Sequence, residues 1–152
     1  MWTPQAIVGW LERLGIRPGG IVDVEWIGSG ASGVGGAPGV GGLPPMPDRV
    51  AVVVPTGGMS MTFEGVMDRP EFLLYIRGPQ GDASAAFAMA YAADALILSA
   101  TKSVTLTDGT YLLDVQRTGG RPAPVDFGMD GDRTTLSATY QTEINDEARY
   151  GP

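Results

Sequence analysis

The side chains that do most enzymatic work near neutral pH are missing, because the 152-residue chain has no histidine and no cysteine. That removes the imidazole base, the thiolate nucleophile and the nitrogen and sulfur metal ligands. Serine and threonine remain, but a hydroxyl nucleophile needs a base beside it, and only Lys102 or a carboxylate is left to serve. The best oxygen-ligand candidates are Asp126, Asp130 and Asp132 in "DFGMDGDR". Their spacing misses the EF-hand loop, which closes with a glutamate at its twelfth position. Asp and Gly are ordinary turn residues, so a solvated turn is expected and no metal. Asp126-Phe127-Gly128 spells a kinase triplet without the lysine strand and catalytic loop that give it meaning. Gly28-Ser29-Gly30-Ala31-Ser32-Gly33 has the GxGxxG form of a dinucleotide turn. Such a turn must run straight into a helix whose N-terminus faces the pyrophosphate. Here "VGGAPGVGG" follows, which cannot start one. The sequence therefore predicts no catalytic residue, no cofactor and no enzyme.

The remaining composition describes a packed, acidic domain. Hydrophobic residues make up 43% of the chain, enough for a core, and its length suits one domain spanning 1–152. The net charge is −7, which argues against nucleic-acid binding in its own right. No apolar run is long enough to cross a membrane as a helix, and the first residues lack the pattern of a signal peptide. Assembly in a cytoplasm is the expectation.

The chain must position whatever it presents with a few clear elements. Thr3 and Pro4 open a helix, Gly15 ends it, and Ile7, Trp10, Leu11 and Leu14 form its apolar stripe. Trp2 and Ile7 suit a hydrophobic staple. Residues 21–27 alternate as a half-buried strand. Residues 28–47 hold eight glycines and four prolines and are expected to be a flexible loop. Residues 49–58 read as a central strand covered on both faces, and 71–78 as another. Asp82 caps a helix over 83–99 made mostly of alanine. Its Met89, Leu96 and Ile97 complete one apolar face, and Phe87, Tyr91 and Leu98 make a second line. A helix apolar on two sides needs two neighbours, a sheet and another subunit, or else one thick core. Thr107-Asp108-Gly109-Thr110 predicts a two-residue hairpin turn. Residues 121–133 read as a loop, 133–144 as a long amphipathic strand and 145–152 as a frayed end. The expected fold class is α+β: a mostly antiparallel or mixed sheet of about five to six strands with two main helices packed on it.

Three stretches carry a resemblance. "GGLPPMPDRVAVVVPTGG" and "DRPEFLLYIRGPQGDASAAFAMAYAADAL", followed by "RPAPVDFGMDGDRTTLSATYQTEI", resemble the tail terminator (minor capsid or tail completion) proteins of long-tailed bacteriophages over residues 41–144. The resemblance implies a homo-oligomeric ring, commonly a hexamer, at the head-proximal end of the tail in the virion. Such a ring caps the tail tube, ends its growth and joins the tail to the head. Its partners would be the tail tube protein and the head-tail connector or neck proteins, with genomic DNA only passing through the lumen and no membrane. The family has no catalytic residues to transfer. Asp68 and Arg69 before the strand at 71–78, Arg77 at its end, and Phe87 and Tyr91 on the helix are the expected interface residues. Both arginines are expected at solvated turn edges, where charge reversal leaves the melt nearly unchanged. The alternatives are a head-completion or neck connector protein and, from another class, a small-molecule or nucleotide-binding module using the Gly-rich loop.

Overall fold

A computed structural model describes residues 3–27, 48–57, 59–60, 67–100, 103–125 and 132–145. The Gly/Pro-rich stretch 28–47, with its GxGxxG run, lies outside them, as do Trp2, Lys102, Asp126, Asp130 and residues 146–152 of the expected frayed end.

Helix α1 (Pro4–Arg13) forms for the reasons its sequence gives. The Thr3 hydroxyl accepts the Ala6 N–H at 3.1 Å, proline occupies the first turn, and Gly15 follows the last turn at φ 106°. Ala6, Ile7, Val8, Trp10 and Leu11 are buried. After the turn, the alternation of residues 21–27 holds: Val22, Val24 and Trp26 are buried, while Ile21, Asp23 and Glu25 face out. The expected strand is shorter than its pattern, however. Ile16 and Val22 form one isolated bridge, and β1 is only Glu25–Trp26. Side chains take over the ties: Asp23 accepts the Gly19 N–H, and the Trp26 indole donates to the Ile16 carbonyl at 3.0 Å.

Among the described residues, eight strand segments build one mixed sheet. They are β1, β2 (Val50–Pro55), β3 (Met59–Ser60), β4 (Met67–Arg69), β5 (Glu71–Arg77), β6 (Val104–Thr105), β7 (Tyr111–Val125) and β8 (Thr135–Asn145). They occupy six lanes, because β2 with β3 and β4 with β5 are two interrupted ribbons. Pro70 makes the second interruption, since it has no N–H for the ladder. Its carbonyl still accepts the Thr142 N–H at 2.9 Å and the Thr142 hydroxyl at 2.8 Å. β8 is central, with β4 and β5 along one side and β7 along the other; among the described strands, β1 alone runs parallel to its neighbour. The fold is α+β.

Helix α2 (Ala83–Ser99) lies between β5 and β6 in the chain and packs on β7, β8 and β5. The main core joins Ile7 and Leu11 of α1 to Ala51, Val53, Phe72, Leu74, Ile76, Tyr140 and Ile144 of the sheet and to Ala93 and Ile97 of α2. On the other face of β2, Val50 and Val52 form a small second cluster with Ile27, Val54 and Tyr75. β2 is thus covered on both faces, as its apolar run from Val50 to Val54 predicts.

Two local expectations are corrected. The hairpin between β6 and β7 has a three-residue loop rather than a two-residue turn. The Gly109 N–H donates to the Leu106 carbonyl at 3.0 Å, and the Leu106 N–H to the Thr110 carbonyl at 2.8 Å. A two-residue type I′ turn needs positive φ at both central positions. Here Gly109 alone has it, while the Asp108 carboxylate accepts the Thr110 N–H. Residues 121–125, read as loop, are strand: β7 passes an irregularity of three extra residues between Thr118 and Ala123, then pairs again up to Val125. Gly119, at φ 74°, absorbs the bend.

Candidate subunit interface

The joint from strand to helix is built around Gly78. A Cβ there would lie 2.6 Å from the Ala86 Cβ and 2.8 Å from the Ala86 nitrogen, so any side chain would push α2 off the sheet. Gly81, at φ 73°, turns the chain, and the Asp82 carboxylate accepts the Ala85 N–H at 3.0 Å to start the helix. The buried side of α2 is Ala86, Ala90, Ala93 and Ile97, with Met89 and Leu96 partly buried against the core. Small residues at three of those four positions let the helix axis sit close to the strands.

The outer side has a different character. Ser84, Ala88, Tyr91, Ala95 and Ser99 are exposed and follow one another along one face. Tyr91 is 42% exposed. Phe87 meets it edge-on, with ring centroids 5.8 Å apart, and is itself half-buried against Ala86, Ala90 and Leu136. Of the expected second line, Leu98 turns inward onto the core. Tyr91 is left as the aromatic anchor of a face with no charge on it.

Asp94 is the one charged residue of α2, and it is tied inward. Its carboxylate accepts the Tyr140 hydroxyl at 2.8 Å and pairs with Arg117 of β7. Burial, then the hydrogen bond to Asp94, pushes the Tyr140 phenol well above the usual tyrosine range. Arg117 keeps its Nε buried without a partner among the described residues, so the pair with Asp94 is its main satisfaction. Sequence reasoning missed this triad. The available signal was a lone carboxylate in an otherwise uncharged helix.

The other expected interface residues divide. Asp68 lies in β4, paired with Ser60 and Ile144. Arg69 is half-buried and lines a shallow groove on the outer sheet face with Asp114, Gln116, Gln141, Thr142 and Glu143. Arg77 is a correction. It is 0% exposed, and its Nε donates to the Asp48 carbonyl at 2.9 Å. The last residue of β5 is buried on the face it shares with Val50, where it holds the segment entering β2. It is therefore no solvated turn edge and leaves the candidate interface. Beside it Asp48 pairs with Arg133 at 2.8 Å. The hydrogen bond from Arg133, chiefly, holds the Asp48 carboxyl below its usual range.

No arrangement among the described residues points to bond-making chemistry. A cleft of about 350 Å³ lies between Asp23, Val24, Glu25, Asp48, Arg49 and Pro79. Two of its carboxylates are already paired, Asp23 with Arg49 and Asp48 with Arg133. Among the described residues no three acids gather as a metal site; of the aspartate loop, only Asp132 is described, and it is exposed. No helix among them is long and apolar enough to cross a membrane. No protein-family model matches the chain, and a comparison with curated proteins found no relative.

Proposed function

We propose that this chain is a structural subunit that closes into a ring, caps a bacteriophage tail tube, ends its polymerisation and joins the tail to the head. The observation that carries the proposal is α2. Seventeen residues hold one charge, and that charge is turned inward onto Tyr140 and Arg117. The outer side presents small residues around Tyr91. Charge depletion with an aromatic at its centre is the composition of an interface core. A helix uncharged on both sides is supplied with one neighbour by its own sheet and with the second by the next subunit. Ring subunits meet through different patches at a fixed rotation, which demands rigid elements. The close approach at Gly78 and the Asp94 triad supply that rigidity. A net charge of −7 also suits a lumen through which DNA slides without being held. The resemblance over residues 41–144 supports this reading of the assembly.

The test on the protein is Tyr91→Glu. An exposed substitution changes folding stability by about 0.5 kcal/mol or less. A carboxylate placed in an uncharged contact costs far more on association. The variant is expected to melt like the native chain and to fail to form rings on tail tubes, as seen by electron microscopy. If Tyr91→Glu rings assemble normally, α2 is not the contact.

A further inference from the structure

We propose that Asp114 guards the open edge of β7 and keeps a second copy of this chain from adding to it as a strand. Strand β7 pairs with β8 along one side. On its other side, among the described residues, only β6 pairs with it, and only at Tyr111 and Leu112. An edge of that length presents unpaired N–H and C=O groups and is a template for another chain.

The register shows which way the backbone points. Val115 stands opposite Thr142, whose N–H goes away from β7 to the Pro70 carbonyl at 2.9 Å. Opposed residues in an antiparallel ladder exchange both hydrogen bonds or neither. The Val115 N–H therefore points away from β8, to the open edge. It is occupied there: Asp114 Oδ1 accepts it at 2.9 Å, while the Gln116 side-chain amide approaches Oδ2 at 3.4 Å. The register shift between Leu112 and Asp114 inserts an extra residue just before this point. Such a bulge twists an edge out of line.

The rest of the edge is blunted by other means. Gly119, at φ 74°, sits in the second register irregularity, and Pro122 and Pro124 have no N–H to offer. Covered by β6 at its start and broken by glycine and proline at its end, the edge is open for pairing, among the described residues, from Val115 to Thr118. Asp114 closes its first donor. A chain that must join its neighbours through defined patches gains from such a guard, because edge pairing would divert copies into unspecific stacks.

The test uses the whole chain. By hydrogen exchange, the native Val115 amide should exchange at least tenfold more slowly than the same amide in an unstructured peptide. In Asp114→Ala that protection should fall away. Sedimentation velocity should show the variant self-associating with concentration beyond the native protein. Glu143→Ala, which removes a charge from the same groove but no backbone acceptor, should sediment as the native protein does. A native Val115 amide that exchanges at the unprotected rate overturns the proposal, and this holds even if Asp114→Ala does not fold. A folded Asp114→Ala that sediments like the native protein overturns it too, and so does a Glu143→Ala that associates equally, since charge rather than the guard would then be responsible.

Discussion

Arg77→Glu is expected to cost about 4 kcal/mol or more of folding stability, the scale of an uncompensated buried charge. For a domain of this size that is a fall of roughly 8–16 °C in melting temperature. The native guanidinium is fully buried and donates to the Asp48 carbonyl. Its charge also helps keep the Asp48 carboxyl ionised. Glutamate would remove the donor, bury an anion and set it near a second carboxylate. Arg77→Lys keeps the charge but loses the planar fork, so it should cost less than half as much. Arg69→Glu is the informative contrast. Arg69 is half-buried in a groove with Asp114 and Glu143, so its reversal adds repulsion that solvent and salt screen. About 1 kcal/mol or less is expected. Urea melts of the three variants check this, and an Arg77→Glu midpoint equal to the native one would contradict the burial.

Asp94→Ala is expected to be the next most damaging change, at about 2–3 kcal/mol. It strands the Tyr140 hydroxyl in the core and leaves Arg117 unpaired. Breaking a fully buried pair costs about 3–5 kcal/mol. The lower figure applies because the Arg117 and Asp94 side chains remain 24% and 13% exposed. Tyr140→Phe removes a single hydroxyl and should cost about 1 kcal/mol. In the double variant the stranded hydroxyl is gone, so the combined loss should fall short of the sum of the two by about 1 kcal/mol. The triad also has a pH signature. Folding raises the Tyr140 pKa above its unfolded value near 10. Its contribution to stability is full below that pH and is lost as pH rises through the folded value. Alkaline melts of Tyr140→Phe should therefore be flatter above about pH 10. Strictly additive losses would show that Asp94 and Tyr140 do not act together.

These residues also mark where sequence reasoning stops. α1, α2, β5 and β8 were legible because their signals are local. Thr3 and Asp82 cap, Gly15 stops, and apolar residues recur at the helical or strand period. The second apolar line read on α2 was legible only in part: Tyr91 is exposed, whereas Phe87 is half-buried and Leu98 packs on the core. Arg77 was misplaced because its partner at Asp48 is 29 residues away. A residue ending a strand before "GPQGD" looks solvated until β2 is laid beside it. Asp94 joins Arg117 and Tyr140 across separations of 23 and 46 residues. No periodicity records such a contact. β7 was cut short at Gly119-Gly120 because glycine and proline mark turns locally, whereas β8 supplies enough ladder to carry the strand past them.

The central claim is that the chain ends tail growth, and tail length reads that directly. Electron micrographs of particles from a phage deleted for this chain should show tails that are overlong, variable and unjoined to heads. Returning the native chain should restore one length, and Tyr91→Glu should not. Tails of normal, uniform length in the deletion would contradict the claim; if they also failed to join heads, the chain would act in the neck instead.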